Sequence, residues 1–206
     1  MNTNAIKVIF FDIGGVLLTN GWGHDSRALA ASEFNFDFTE FETLHNFIFN
    51  VYEIGNISLD EYLDIAVFNR SRPFTREDFK SFMYSRSREL PGTLAWLIQW
   101  KQQHPNIKLA SINNEGKELN DYRIAKFNLH QCFDAFISSC QVGMRKPDPG
   151  IFKLAMGIMQ VQPEQCMYFD DRLILVEAAQ RLGIQGYHHQ QFEFTKKIIE
   201  DVLQIV

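Results

Sequence analysis

The chain has 206 residues, 46% of them hydrophobic, and a formal net charge of −5, enough for one substantial core and a small inserted module. Its Lys and Arg residues are scattered, which excludes the concentrated cationic footprint of a nucleic-acid partner. The apolar run Val8 to Leu18 is interrupted by Asp12 and falls far short of the ~20 residues that span a bilayer, so no membrane partner and a cytoplasmic location are expected.

Lys7-Val-Ile-Phe-Phe-Asp12 followed by Gly14-Gly15 predicts a buried strand running into a tight turn. From there to Pro91 no strand-like run occurs and helical spacing dominates. Phe34, Phe38, Phe41, Leu44, Ile48 and Val51 are placed on one face, Ser58-Leu-Asp-Glu61 forms a capping box, and Thr75 can cap a further helix. A segment of ~70 residues is too long for a structureless loop, so residues 20–89 are expected to be a helical cap over the core. Leu94, Leu97, Ile98 and Trp100 follow Pro91 in a helix that stops before Pro105.

Strand-like runs then recur at Ile107–Ser111, Ala135–Ser138 and Cys166–Asp170. Between them Asp148-Pro149 opens a helix carrying Ile151, Leu154, Ala155, Ile158 and Met159, and Leu173–Leu182 gives another closed by Gly183. Alternating strands and helices predict an α/β fold: a Rossmann-like, doubly wound parallel sheet formed by residues 1–19 and 90–206. Ligands of such sheets collect at the carboxyl ends of the strands, where Asp12, Ser111 and Asp170 are expected. Cys132, Cys140 and Cys166 fit neither a zinc pattern nor a disulfide framework, so free thiols are expected.

A strand-end Asp before Gly-Gly is a weak signal alone. The ordered set Asp12, Ser111, Lys146 and Asp170-Asp171 is stronger, since it supplies a nucleophile, a hydroxyl, a cation and metal-binding acids. A carboxylate beside Mg²⁺ can attack phosphorus because the ion offsets repulsion between two anions. His24 in the Gly21-Trp-Gly loop, Asn113 and Asn114 are further candidates; capping explains Asn114 equally well. His188 and His189 lack partners at ligand spacing.

These residues resemble the motifs of the haloacid dehalogenase superfamily, over nearly the whole chain. Phe10–Leu17 looks like its first motif, Leu109–Ser111 its second, Gly143–Asp148 its third and Tyr168–Arg172 its fourth. The helical insertion looks like a C1-type cap, and Glu53–Glu61 is similar to a segment of bacterial glucose-1-phosphate phosphatases. The resemblance implies that Asp12 is nucleophile and Mg²⁺ ligand, with the Gly14 carbonyl and Asp170 as ligands and Asp171 holding metal-bound water. It also implies that Ser111 and Lys146 bind the phosphoryl group of a small phosphorylated metabolite, with Asn113 beside them.

Two positions depart from the pattern. Family phosphatases commonly carry an acid-base Asp where this chain has Gly14, and an Asp or Asn where it has Leu175. Positioned acid-base catalysis contributes ~10² to 10⁴ in rate, so Gly14 points to a slower or more selective enzyme. A dehalogenase-like attack on carbon and a binding protein on a hydrolase scaffold are the competing readings. Nothing in the sequence fixes an oligomeric state.

Overall fold

In the computed structural model, which describes residues 5–204, five parallel strands form one sheet in the order β3-β2-β1-β4-β5. They are β1 (Val8–Phe11), β2 (Lys108–Asn113), β3 (Ala135–Ser138), β4 (Cys166–Asp170) and β5 (Gln185–His188). Residues 1–4 and 205–206 of the expected core lie outside the described residues. The strands alternate their apolar side chains between two faces, both covered, which is why they read as continuous hydrophobic runs.

On one face Ile9, Phe11, Leu109, Met167 and Phe169 pack with α5 (Thr93–Gln103) and α10 (Phe192–Gln204). On the other, Val8, Phe10, Ala110, Ile112 and Tyr168 pack with α8 (Pro149–Met159) and α9 (Leu173–Gln180). The α8 start follows the sequence reading, with the Asp148 side chain accepting from Gly150 N–H at 2.7 Å.

The first four helices, α1 (His24–Glu33), α2 (Phe38–Glu53), α3 (Leu59–Ala66) and α4 (Arg76–Ser85), build a separate aromatic cluster around Trp22, Phe41, Tyr52, Tyr62 and Phe79. The predicted capping box at Ser58 is present, and Thr75, predicted as a cap, forms a capping box as well. The chain leaves and re-enters the sheet side by side: Thr19 N–H donates to the Arg88 carbonyl at 2.8 Å and Leu90 N–H to the Leu17 carbonyl at 3.0 Å.

Three details differ from expectation. Strand β2 runs to Asn113, so Ser111 lies inside it, paired with Phe11 rather than at its end. Strand β5 has the sequence Gln-Gly-Tyr-His and is only half-buried; it is an edge strand without the apolar run that reveals the others. His24 opens helix α1 instead of standing in a loop, and the helical face drawn from Phe34 to Val51 breaks at Asp37, which caps α2.

The helical segment meets the core through Tyr52, which lies against Gly116 just before α6 (Lys117–Lys126). A β-carbon at Gly116 would stand 2.1 Å from the Tyr52 ring, and Tyr52 is itself 1% exposed. Overpacking of this kind costs ~1–3 kcal/mol or more. Gly116→Ala is therefore expected to lower the denaturation midpoint by that amount, and Gly116→Ala/Tyr52→Leu to recover part of it, as read by urea titration.

Candidate active site

In the order β3-β2-β1-β4-β5 the chain first winds one way from β1 and then the other, so β1 and β4 flank the switch point where such sheets bind ligands. Asp12 follows β1 and Asp170 ends β4. Asp12 N–H donates to the Phe169 carbonyl at 2.8 Å, which ties the two strand ends together. One carboxylate oxygen each of Asp12, Asp170 and Asp171 lies within 4.8 Å of the others.

A single ammonium serves this cluster. Lys146 Nζ stands 2.8 Å from Asp170 Oδ2 and 3.1 Å from Asp12 Oδ1, and the residue is 1% exposed. Its backbone is clamped by Asn114, whose Nδ2 donates to the Lys146 carbonyl at 2.9 Å and whose Oδ1 accepts from Lys146 N–H at 2.8 Å. Asn114 therefore positions the lysine and caps no helix; the residue before α6 is Gly116.

Asp170 is fully committed. Its Oδ2 also accepts from the Tyr168 hydroxyl, and its Oδ1 accepts from Arg172 N–H at 2.8 Å. Asp12 is half committed: Oδ1 takes Lys146 and Ile13 N–H, while Oδ2 makes no hydrogen bond among the described residues. Asp171 Oδ2 accepts from Asn20 at 3.3 Å, and its buried Oδ1 has no partner. Gly15, at φ +72°, passes so close to Asp171 that a β-carbon there would stand 2.1 Å from Oδ2.

Electrostatics follow from this arrangement. Burial pushes the Asp12 carboxyl up; Lys146 opposes and Asp170 and Asp171 add to the rise, leaving it at about 6. Burial pulls the Lys146 ammonium down, but Asp12 and Asp170 outweigh burial and hold it above its ordinary value. Three carboxylates facing one ammonium leave an excess of buried negative charge, which is costly unless protons or a cation neutralise it. With three carboxylates close together and an unpartnered Asp171 oxygen among them, the cluster fits a hard divalent cation bound by oxygen.

Above Asp12 lies a cavity of about 340 Å³, lined in part by Gly14, Asn113, Lys146 and, from the helical segment, His45, Asn50 and Glu53. Ser111, Asp170 and Asp171 are not on its wall. Ser111 Oγ and Asn113 Nδ2 are buried with no hydrogen-bond partner among the described residues. His24 lines the cavity mouth, with a side chain 66% exposed, and Leu175 closes one side.

Several wall residues are given no chemical role in the sequence reading. Glu53 at the end of α2 pairs with Arg145 at 2.9 Å, one residue before Lys146. Glu115 pairs with Arg123 of α6 at 2.5 Å, both almost fully buried. Burial, with Glu53 and Asp12, pushes the Glu115 carboxyl up against the pull of Arg123, to about 7. Arg145 and Tyr168 stood inside recognised motifs; for Arg123 only its helix could have been read.

Fold and cluster together define an α/β hydrolase with an acidic site over the sheet's switch point. The chain belongs to the haloacid dehalogenase-like hydrolases, a family that matches residues 6–183. It is 28% identical over 183 residues to the phosphorylated carbohydrates phosphatase of Thermotoga maritima, covering 87% of this chain and 83% of that one. A haloacid dehalogenase family enzyme of Bacteroides thetaiotaomicron, solved with magnesium and inorganic phosphate, has a TM-score of 0.74 at 20% identity, covering 90% and 95% of the chains. The L-2-haloacid dehalogenase of Xanthobacter autotrophicus has a TM-score of 0.62 at 17% identity, covering 96% and 84%.

The helical wall holds a buried histidine. Trp22 Nε1 donates to the Tyr62 hydroxyl at 3.0 Å, and that hydroxyl shares a hydrogen bond of 2.8 Å with His45 Nδ1. Burial and the nearby Arg27 charge push the His45 pKa down to about 4, which favours the neutral imidazole. An unfolded histidine titrates near ~6.5, so between these values the unfolded chain binds more protons and stability falls as pH drops. From pH 7 to 4.5 the urea midpoint is expected to fall, and to fall less in His45→Gln, which keeps an acceptor for Tyr62.

Proposed function

We propose that this chain is a Mg²⁺-dependent phosphatase of small phosphorylated metabolites, with sugar phosphates the first class to test. The observation that carries the reading is the charge imbalance of Asp12, Asp170 and Asp171 around one buried ammonium. A dication would relieve that imbalance, held by Asp12, Asp170, the Gly14 carbonyl and, through water, Asp171. When bound it supplies Lewis-acid polarisation of a phosphoryl oxygen.

The chain's own residues then have distinct tasks. Asp12 Oδ2, free of hydrogen bonds, attacks phosphorus while Oδ1 stays fixed by Lys146 and Ile13 N–H. Lys146 neutralises phosphoryl oxygens, and the unpartnered Ser111 hydroxyl and Asn113 amide are donors for the same group. The aspartyl-phosphate so formed is cleaved by water, which returns Asp12. We assign residues 20–89 as a C1-type cap that excludes water, supported by the paired exit and return at Thr19 and Arg88. Among the described residues no helix is long and apolar enough to cross a membrane, and three free cysteines support the reducing cytoplasm.

Attack on carbon, with halide leaving, needs no acid at Gly14 and is the second reading. One measurement tests the nucleophile common to both readings, and a second separates them. Asp12→Asn is expected to retain the fold and lose more than ~99% of turnover, since an amide is a far poorer nucleophile. Activity toward p-nitrophenyl phosphate is expected to vanish in excess chelator, and Asp170→Ala to weaken Mg²⁺ binding measured by calorimetry. Undiminished turnover of this ester in chelator would remove the Mg²⁺ requirement, and halide release from a 2-haloacid in chelator, with no hydrolysis of phosphate esters, would select the attack on carbon.

A further inference from the structure

The position that resembling phosphatases give to a proton donor is Gly14, and its surroundings are specific. A β-carbon at Gly14 would stand 3.8 Å from Arg123 Nη1, and one at Gly21 3.5 Å from the same atom. The guanidinium therefore overlies the loop after β1, on the cavity wall. Arg123 is 2% exposed. Its Nη1 donates to Glu115 Oε2 at 2.5 Å and its Nη2 to the Thr19 carbonyl. Nε is buried with no hydrogen-bond partner among the described residues. A guanidinium has five N–H groups, so donors remain uncommitted.

Arginine stays charged at any pH the protein survives and cannot hand over a proton. A fixed cation in a buried site does something else: it stabilises negative charge where that charge develops. Resting on the phosphatase reading of this site, we propose that Arg123 meets the leaving-group oxygen as a fixed cation. The substrates it selects are phosphoryl compounds whose leaving oxygen is weakly basic, acyl phosphates above all.

The step balances without an acid. The Asp12 oxygen bonds to phosphorus as the bond from phosphorus to the leaving oxygen breaks. The electron pair stays on that oxygen, which departs as a carboxylate beside Arg123. Water then attacks the aspartyl-phosphate, the pair of the Asp12–phosphorus bond returns to Asp12, and the water proton leaves with inorganic phosphate or to solvent. Glu115 is a positioning residue that holds Arg123 in place.

The same geometry explains why position 14 has no acid. An aspartate there would lie beside the Arg123 guanidinium, which would favour its ionised form and lower its pKa, so it would be a poor donor. Gly14 is not in the left-handed region, and the closest contact of an added β-carbon is Asn20 Oδ1 at 3.1 Å, the end of a flexible side chain. Glycine is thus not demanded at position 14 by backbone strain.

The test is the dependence of kcat/KM on leaving-group acidity, with Mg²⁺, across substituted phenyl phosphates, with acetyl phosphate and glucose 6-phosphate alongside. A steep rise with leaving-group acidity is expected, with acetyl phosphate far ahead of glucose 6-phosphate. Arg123→Met should lose ~10² to 10³ in kcat/KM and steepen the dependence further. Arg123→Met/Glu115→Leu, which removes both buried charges, guards against misfolding and should behave alike. Glu115→Gln, which keeps an acceptor for Arg123 but removes its counter-anion, should lower kcat/KM without steepening the slope, and Gly14→Asp should bring no gain on phenyl phosphate.

Four outcomes overturn the proposal. A flat dependence in the parent means that a proton donor serves. A slope steepened by Glu115→Gln makes Glu115 that donor. A gain of tenfold or more for Gly14→Asp on phenyl phosphate shows that an acid was lacking and that Arg123 does not govern the position. Absence of turnover of every phosphoryl compound with Mg²⁺ overturns the phosphatase reading as well, whereas the first three leave that reading standing.

Discussion

Everything in this site depends on one buried lysine shared between two aspartates. Lys146 touches Asp12 and Asp170 at once, and a misplaced ammonium would leave buried carboxylates facing one another at close range. The fold fixes it from several sides. Parallel pairing brings the ends of β1 and β4 together, while Asn114, one residue past β2, clamps the lysine's backbone through both its amide atoms. Strand register thus sets where the lysine sits, and the lysine sets which Asp12 oxygen stays free.

The parts of the site that read clearly in the sequence are those whose position is local. Asp12 and Asp170 follow apolar strand runs, and a strand end in a parallel sheet has one place to go. Capping boxes at Ser58 and Thr75 are equally local. Arg123 was not legible, because a residue inside a polar helix faces a site only by virtue of how that helix docks, and Glu115, in the loop before α6, is marked only by its pairing with Arg123. Arg145 stood in view between Met144 and Lys146, yet its partner Glu53 lies 92 positions earlier in the chain. Strand β5 escaped because an edge strand needs little apolar sequence. Ser111 was placed at a strand end because Asn113 and Asn114 look like turn residues, although Asn113 completes β2.

The helical segment is joined to the core by contacts that reach the loop carrying Lys146. Ser139 Oγ donates to the Glu53 carbonyl at 2.6 Å, and the Glu53 side chain pairs with Arg145. Burial pushes the Glu53 carboxyl up while Arg145 opposes, so this pair is partly desolvated and worth more than an exposed one. Since Arg145 precedes Lys146, a shift of α2 is transmitted over one peptide unit to the lysine. The position of the helical segment and that of the loop carrying Lys146 are therefore mechanically linked.

Charge in the site is layered. The floor, at the strand ends, holds Asp12, Asp170 and Asp171 against a single ammonium and is net negative. The wall above it presents Arg123, Arg145 and Arg172, and two of these are already paired with glutamates. His45 adds a further polar group at the helical side, with its Nδ1 held by the Tyr62 hydroxyl. A floor short of positive charge and a wall rich in donors do not attract the same species. The floor favours a small hard cation, and the wall favours an anion. A dication held by the floor carboxylates together with an anionic group held by the wall would satisfy both layers at once, and neither a lone anion nor a lone cation would do so.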